Sequence, residues 1–548
     1  MGNAALHETS PQPLSTGAKA AQGRGEVVYR STARGEVSRS RSFTRTDLLL
    51  LLIAAVVVLL YVAGAGPGFP LDDSWIHQTY ARNLAQTGQW AFVPGVPSAA
   101  STSPLYTILL AAGYALGIPY AVWTHTLGAL ALGLTGMAGA RLAARLMPNN
   151  ARLPLLVGLA LVLNWHLIWA AAAGMETALF SLWTLVVMGL ALYNTAAGTV
   201  ARPRDGLIFG AVAALAALTR PEGLLLAGLG GLAVALGQVR RPARLAVWAL
   251  AAVLAFAVVL APYVVYNYGL TGGFLPDTAA AKQAEYAPLL ALPYVDRVAR
   301  MAYPLAAGIL PLLLPGLAGY VIAVARKPER GGATLAAFLP VLWSVALIGL
   351  YAARLPANYQ HGRYVIPAIP GLVLAGVLGL AWLLTRSRRA LVSRVITRSL
   401  ALAAAVVGLA FALVLGSGVY RQDVTLIQEE MVTAARWVAA NVPADALLAV
   451  HDIGAVGYFA PRPLLDLAGL VSPEVVPRLG DAEALWALLQ ARDARYLMAF
   501  PDQIPGQDAS DRRLCRVFST EGQTGRSLGQ PNMVIFVINW DDNCSPGL

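Results

Sequence analysis

Two adjacent aspartates, Asp72 and Asp73, stand where a long apolar run gives way to a polar segment. Residues 47–66 carry no charge after Asp47, and about 20 residues at roughly 1.5 Å each can cross a hydrocarbon layer of about 30 Å. Carboxylates at such a boundary are costly unless water, a cation or a hydrogen-bonding ligand compensates them. We therefore interpret residues 67–104 as a candidate catalytic loop on the outer side. The alternative is that the aspartates only cap the following helix, because Asp is a favoured N-cap.

General-base chemistry suits this pair of carboxylates. Adjacent like charges raise the proton affinity of one member, and partial burial raises it further. We predict that Asp72 takes a proton from a substrate hydroxyl and that Asp73 orients the substrate or shares the role. A divalent cation is compatible with the pair, but the spacing offers no third oxygen ligand, so no metal site is assigned. The two cysteines, Cys515 and Cys544, lie in no metal-binding pattern.

Seven further polar residues beside apolar runs are candidates for binding an anionic substrate: Glu176, Arg220, Glu222, Lys282, His361, Arg363 and Tyr364. An arginine can hold a phosphate through paired donors, and Arg220 and Arg363 are expected to do so. Each candidate has a structural alternative. For Glu176 it is a carboxylate at a helix start, and for Arg220 and Glu222 it is a helix start with a structural ion pair. For the segment with His361, Arg363 and Tyr364 it is an interfacial anchor, and for Lys282 a solvated surface lysine.

The composition of the 548-residue chain excludes an ordinary soluble protein. It is 57% hydrophobic and only 13% charged, with a mean hydropathy of +0.60, which is typical of a protein that crosses the membrane several times. The formal net charge of +11 comes from Lys and Arg in short segments between apolar runs. That distribution fits membrane topology, so we expect a lipid bilayer and no nucleic acid as the partner.

The apolar runs predict an all-α membrane domain over residues 47–416 with about eleven transmembrane helices. These are 47–66, 120–141, 153–173, 176–196, 206–219, 221–237, 245–266, 301–325, 333–352, 364–385 and 399–416. Residues 105–117 are too few for a span and are expected to lie at the interface. On this map every strongly basic connection falls on the side of residues 1–46, a disordered basic tail that is therefore cytoplasmic. The candidate residues then share the outer side.

Residues 417–548 predict a small extracytoplasmic α/β domain. They contain sixteen Asp and Glu, ten Arg and no Lys, with helices at 423–440 and 482–491 and short strands near 447–450, 464–467, 496–500 and 533–538. Both cysteines lie here, and a disulfide and two free thiols are equally compatible with the sequence. Gly454 and Gly457 after a strand indicate either a ligand cradle or, more simply, turn geometry.

Several segments together resemble the GT-C superfamily of integral-membrane glycosyltransferases, and most closely the mycobacterial-type terminal arabinofuranosyltransferases. The resemblance covers roughly residues 45–540. It is carried by the aspartate pair, residues 80–84, Gly88, 101–105, 174–177, 219–223 and 452–470. It implies a polyprenyl-phosphate sugar donor, inversion at the anomeric carbon, and Asp72 and Asp73 as the catalytic pair.

We therefore expect a membrane glycosyltransferase of class EC 2.4. It would move a sugar, with a pentofuranose as one candidate, from a polyprenyl phosphate to a glycan, lipid or protein of the cell envelope at the outer membrane face. The C-terminal domain would dock the acceptor. The alternative is a lipid-linked sugar transporter or flippase without transfer chemistry, which needs polar groups along a path through the membrane. The chain largely lacks such groups.

Overall fold

The computed structural model describes residues 43–98, 100–196, 198–273, 278–326, 328, 331–386, 391–541 and 544. Most of the predicted basic tail, residues 1–42, lies outside the described residues. The helices before the C-terminal domain are α1 Arg45–Ala65, α2 Asp72–Thr87, α3 Pro104–Ala115, α4 Tyr120–Leu146, α5 Leu153–Val162, α6 Trp165–Ala172, α7 Thr177–Thr195, α8 Pro203–Thr219, α9 Gly223–Gln238, α10 Pro242–Thr271, α11 Thr278–Glu285, α12 Tyr294–Ala302, α13 Leu310–Arg326, α14 Gly332–Arg354, α15 Tyr359–Gly362, α16 Ile369–Arg386 and α17 Leu391–Ala410. A hairpin of β1 Ala91–Val93 and β2 Val96–Pro97 follows α2.

The first helix shows how the apolar runs become membrane helices. The Thr44 side chain caps α1 by accepting the Asp47 backbone N–H, and the Thr44 backbone N–H donates to the Asp47 carboxylate at 2.9 Å. The helix ends at Gly66, whose φ of 79° lies in the left-handed region that favours glycine. One side of α1 packs against the bundle, while Leu52 and Leu59 are exposed on the other. Exposed apolar side chains on a long helix are expected where lipid is the solvent.

Within the described residues, seven helices are long and apolar enough to cross a membrane, and the number is nine if two bent helix pairs each count as one span. The bent pairs are α5 with α6, at 53°, and α12 with α13, at 111°. The other two predicted spans are α8 and α9, with 17 and 16 residues. The predicted interfacial segment 105–117 is α3, whose 12 residues extend only about 18 Å.

The C-terminal domain is built on a five-stranded mixed sheet, as the short apolar runs predict. Its elements are α18 Gly416–Ile427, α19 Thr433–Asn441, β3 Leu448–Val450, α20 Ile453–Phe459, β4 Leu464–Asp466, α21 Ala482–Ala491, β5 Tyr496–Ala499, β6 Leu514–Ser519, α22 Gln523–Ser527 and β7 Val534–Ile538. The strand order is β4-β3-β5-β7-β6. Strand β3 is parallel to β4 and β5, whereas β7 is antiparallel to β5 and β6. Cys515 and Cys544 form a disulfide, which decides between the two alternatives.

A helix of 48 residues, Arg394–Asn441, joins the membrane domain to this sheet. It contains α17 from Arg394 onward, α18 and α19, with two short π-helical segments at Phe411–Leu415 and Gln428–Val432. The predicted domain boundary at residues 416 and 417 therefore falls inside a continuous helix rather than in a linker.

The outer loop and one face of the sheet share a hydrophobic core. Alternate residues of β3 divide between two clusters, because successive side chains of a strand point to opposite faces. Leu448 and Val450 pack into the cluster that contains Trp75 and Tyr80 of α2, whereas Ala449 belongs to a cluster within the domain. Trp75 is fully buried. This core determines where α2 lies and hence where the aspartates point.

Candidate active site

The side chain of Asp72, the first residue of α2, contacts the N-terminus of α20 in the C-terminal domain. Its two carboxylate oxygens accept the backbone N–H groups of Gly454, at 2.6 Å, and Ala455, at 2.8 Å. The residue that precedes α20, Asp452, makes no side-chain capping bond. The first N–H groups of a helix have no partner within the helix, and negative charge is favourable beside them. Asp72 therefore caps a helix of the other domain.

Arg82 binds the opposite end of the same short helix. Its guanidinium donates to the carbonyls of Tyr458, at 2.7 Å, and Gly457, at 3.2 Å, and lies 4.7 Å from the centre of the Tyr458 ring. A Cβ on Gly454 would come within 2.0 Å of the Asp72 carbonyl oxygen, and one on Gly457 within 2.1 Å of Phe92. Both glycines thus permit close packing of α20 on the outer loop and do not form a ligand cradle.

The surroundings of Asp72 raise the pKa of its carboxyl to about 8. Burial is the largest cause, and the nearby Asp452 adds to it, while the two backbone N–H groups act in the opposite direction.

Asp73 points away from α20 and meets two cations. Its carboxylate forms an ion pair with Arg363, and the Lys282 Nζ lies 3.5 Å from the same oxygen. Burial alone would raise the pKa of Asp73, but Arg363 and Lys282 hold it far below its usual range. Consecutive helical residues point in different directions, so the two adjacent aspartates have separate environments.

A second ionic cluster lies beside Asp73 and is centred on Arg220. The Arg220 guanidinium donates to Glu176 at 2.9 Å, to Tyr351 at 2.7 Å and to Glu222 at 3.3 Å. His77 Nε2 lies 3.3 Å from the other oxygen of Glu176. Neither glutamate caps the helix that it precedes through its side chain. Both glutamates thus stand at a helix start, as the structural alternative expects, but their side chains bind Arg220 instead of capping the helix. The ion pair between Arg220 and Glu222 is present.

These groups line one cavity of about 390 Å³. Its polar wall brings together seven of the nine predicted residues: Asp73, Glu176, Arg220, Glu222, Lys282, Arg363 and Tyr364. Its apolar wall includes Leu224, Leu225, Leu350, Leu355 and Leu470. Asp72 and His361 do not line it. A cavity with a cationic end and a leucine-rich wall suits an amphiphile with an anionic head.

His361 instead contacts the long helix that enters the C-terminal domain. Its Nε2 lies 2.8 Å from an Asp423 oxygen, and Trp169 donates to that oxygen at 2.9 Å. Gln360, His361 and Gly362 have φ values of 54°, 58° and 71°. Two of these are non-glycine residues, for which the left-handed region costs on the order of 1–3 kcal/mol each. The contact with Asp423 holds the strained turn that presents Arg363 to Asp73.

The cavity residues that the sequence reasoning did not propose include His77, Tyr351 and Arg354. His77 follows Asp73 by four residues on one helix, so the helical repeat could have indicated that they share a face. Tyr351 and Arg354 come at the end of an apolar helix and carry no comparable signal.

The aspartate pair does not form a metal-binding set in the part of the chain that the structure describes. Asp72 and Asp73 engage different partners, and no group of three or more His, Cys, Asp or Glu residues there is arranged to hold a metal ion. The described residues therefore offer no ligand set for the divalent cation that was considered for the aspartate pair.

Solved membrane proteins share this architecture over nearly the whole chain. The structure of ArnT from Cupriavidus metallidurans in the apo state matches with a TM-score of 0.56 and 14% identity, covering 92% of this chain and 100% of ArnT. The Archaeoglobus fulgidus oligosaccharyltransferase matches with a TM-score of 0.56 and 12% identity, covering 86% of this chain and 71% of that one. The chain has a GT-C fold. The predicted fold class is thus confirmed.

Other comparisons add less. The arabinofuranosyltransferase AftD from Mycobacteria matches with a TM-score of 0.48 and 16% identity, covering 92% of this chain and 40% of AftD, a score that does not by itself establish a shared fold. A family model described as a domain of unknown function (DUF8728) matches residues 419–536 of this GT-C chain. No curated protein sequence matches this chain.

Proposed function

We propose that this GT-C protein is a glycosyltransferase that takes a sugar from a polyprenyl phosphate and transfers it to an acceptor hydroxyl at the outer membrane face. The single observation that carries the proposal is the cluster of ion pairs that Asp73 forms with Arg363 and Lys282. This cluster lines a cavity whose other wall is leucine-rich. The outer location follows from the basic connections on the opposite side.

The donor phosphate is assigned to Arg363 and Lys282. Arg363 is buried, and its Nε and Nη1 atoms have no hydrogen-bond partner among the described residues. Buried donors without partners are costly, and phosphate oxygens accept paired bonds from a guanidinium. Arg220 differs, because all three of its guanidinium nitrogens already have partners. We therefore give Arg220 a supporting role in the cavity wall.

The leucine-rich wall offers a place for the first isoprene units of the donor. ArnT from Cupriavidus metallidurans, whose structure bound to undecaprenyl phosphate matches this chain with a TM-score of 0.54 and 15% identity, takes a lipid of this kind. That likeness supports the assignment as an analogy of fold.

Asp73, rather than Asp72, is our candidate for the general base. Both oxygens of Asp72 are engaged by α20, whereas Asp73 borders the cavity. When the donor phosphate binds Arg363 and Lys282, these cations no longer pair with Asp73. The pKa of Asp73, which they lower, then rises. It then accepts the proton of the acceptor hydroxyl while that oxygen bonds to the anomeric carbon. The bond between this carbon and the phosphate oxygen breaks, and the phosphate leaves with the electron pair.

Release of polyprenyl phosphate from a labelled undecaprenyl-phosphate-linked sugar tests the proposal and separates transfer from flipping. We expect Asp73→Asn to slow release by about 100-fold or more yet to bind undecaprenyl phosphate at least as tightly, because the amide no longer competes for Arg363. Arg363→Gln and Lys282→Gln should weaken that binding.

Asp72→Asn is the matched comparison and should retain release within about tenfold of the unaltered protein, since its effect acts through domain docking. Full turnover in Asp73→Asn would refute the base assignment. Loss of turnover in a folded Asp72→Asn protein alone would restore the role to Asp72. Absence of release from the unaltered protein with every donor and acceptor supplied would remove the transferase proposal.

A further inference from the structure

A second cavity of about 220 Å³ adjoins the first. The two cavities share Asp73, Lys282 and Arg363. The other polar walls of the second cavity come from the start of α2, from the segment after α10, from the strained turn before Arg363 and from the C-terminal domain: Asp72, Glu285, Tyr286, Tyr359, Gln360, His451, Asp452 and Gln503. A ligand in this cavity would meet the donor at Asp73.

We propose that the second cavity binds the acceptor as a single uncharged sugar residue, with the hydroxyl to be glycosylated directed at Asp73. This inference rests on the proposed function, because it supplies the second substrate of the same reaction. It gives the C-terminal domain a direct role in acceptor choice through His451, Asp452 and Gln503.

The polar groups that the C-terminal domain contributes to this cavity are held by contacts with one another. Gln503 donates to Asp452 at 2.9 Å, and His451 Nδ1 lies 3.4 Å from the other Asp452 oxygen. In contrast, the buried Gln360 Oε1 has no hydrogen-bond partner among the described residues. An amide oxygen accepts a hydrogen bond from a hydroxyl, and leaving it without one inside the protein is costly. A sugar hydroxyl would satisfy it.

The charges of the cavity disfavour an anionic acceptor. Apart from the residues shared with the donor, the wall carries the carboxyls of Glu285 and Asp452, together with that of Asp72, whose pKa of about 8 keeps it largely protonated at neutral pH. Burial alone would lower the pKa of His451, but the hydrogen bond to Asp452 raises it to about 9, so this one cation is already paired. Lys282 and Arg363 are assigned to the donor phosphate. A phosphorylated or carboxylated acceptor would therefore face like charges without a free cation.

The size and shape of the cavity favour one sugar ring. Its volume is smaller than the roughly 300–1,000 Å³ of pockets for drug-sized ligands and suits one sugar ring better than a lipid tail or a folded peptide. Tyr286 and Tyr359 stack with ring centres 5.6 Å apart and form an aromatic wall. The C–H faces of a sugar ring pack well on such a surface while its hydroxyls bond to the amide and carboxylate groups.

Ligand-observed NMR on the full chain in lipid nanodiscs tests this assignment. The probes are methyl arabinofuranoside, methyl mannoside and methyl mannoside 6-phosphate, and undecaprenyl phosphate binding is measured on the same samples. We expect at least one neutral glycoside to bind and the phosphorylated one to bind at least about tenfold more weakly. Gln360→Asn keeps an amide in a left-handed turn that Asn tolerates but withdraws the oxygen, and should weaken glycoside binding about three- to tenfold.

Two controls make the experiment specific. Tyr286→Ala should weaken glycoside binding, while Tyr286→Phe, which keeps the ring, should not. Arg495→Ala on the exposed surface of the domain should change nothing. Equal binding of the phosphorylated and neutral probes, or wild-type affinity in both Gln360→Asn and Tyr286→Ala, would overturn the inference. Glycoside binding that follows these expectations in a protein that does not bind undecaprenyl phosphate would support the cavity assignment and refute the donor site.

Discussion

Two neighbouring side chains of the same type have opposite chemistry here because their partners differ. Burial and the neighbouring carboxyl of Asp452 raise the pKa of Asp72, although two backbone N–H groups act against them. Asp73 faces two cations, which leave its pKa lowered. A separation of one residue along a helix is enough for this, since it turns the side chain by about 100°.

The raised pKa of Asp72 predicts that stability falls with increasing pH. A carboxyl that binds its proton more tightly in the folded than in the unfolded state stabilises the fold fully below the ordinary pKa of 3.8, and this contribution is lost as pH rises towards about 8. We expect the midpoint of thermal unfolding to fall between pH 5 and pH 9, and Asp72→Asn to flatten that dependence. A scan of both proteins in detergent measures it, and parallel curves would contradict the assignment.

The sequence identified the acidic pair but not that Asp73 lines both cavities while Asp72 lines only the second. Asp72 and Asp73 were both expected just after the first membrane helix, and both lie at the start of α2. Their orientations depend on how Trp75 and Tyr80 pack against the sheet of a domain more than 350 residues away in the chain. No local pattern in residues 67–104 encodes that contact, and the same holds for Tyr351, which reaches Arg220 from a distant helix.

At the scale of elements, the contact between α2 and α20 joins the two domains by the ends of a seven-residue helix. A carboxylate binds its N-terminus and a guanidinium its C-terminus, which matches the partial charges at helix ends. The arrangement leaves no room for a side chain at Gly454.

Gly454→Ala should therefore destabilise the docked C-terminal domain by about 1–3 kcal/mol, because the added methyl group meets the backbone of Asp72. Gly418→Ala is the matched control, since a Cβ there has open space and Ala favours the helix by roughly 0.5–1 kcal/mol. Urea unfolding followed by tryptophan fluorescence compares the two. Equal stabilities would show that α20 does not pack as described.

Element types were easier to predict than element limits. The strands of the C-terminal sheet follow apolar runs that the sequence shows directly, and α3 is as short as residues 105–117 require. The bends in α5–α6 and α12–α13 were not foreseen, because periodicity does not report the angle between two helices. Asn164 illustrates the difficulty: it caps α6 inside an apolar run that was expected to be one span.

At the scale of the whole molecule, the disulfide predicts that the C-terminal domain lies outside the cytoplasm. Disulfides persist in oxidising compartments outside the cytoplasm. In intact cells, a membrane-impermeant maleimide should label the chain only after a reductant is added, and Cys515→Ser with Cys544→Ser should abolish that labelling. Labelling that requires lysis of the cells would place the domain in the cytoplasm and invert the proposed topology.

The helix Arg394–Asn441 has a mechanical consequence for such a protein. Its 48 residues extend about 72 Å, more than twice the thickness of the hydrocarbon layer. A rod of that length acts as a lever, so a few degrees of tilt at its lipid-embedded end displace its far end by several ångströms. Because bilayer thickness influences tilt, we expect a change of lipid to alter the separation of Asp423 from His361, which are 2.8 Å apart here.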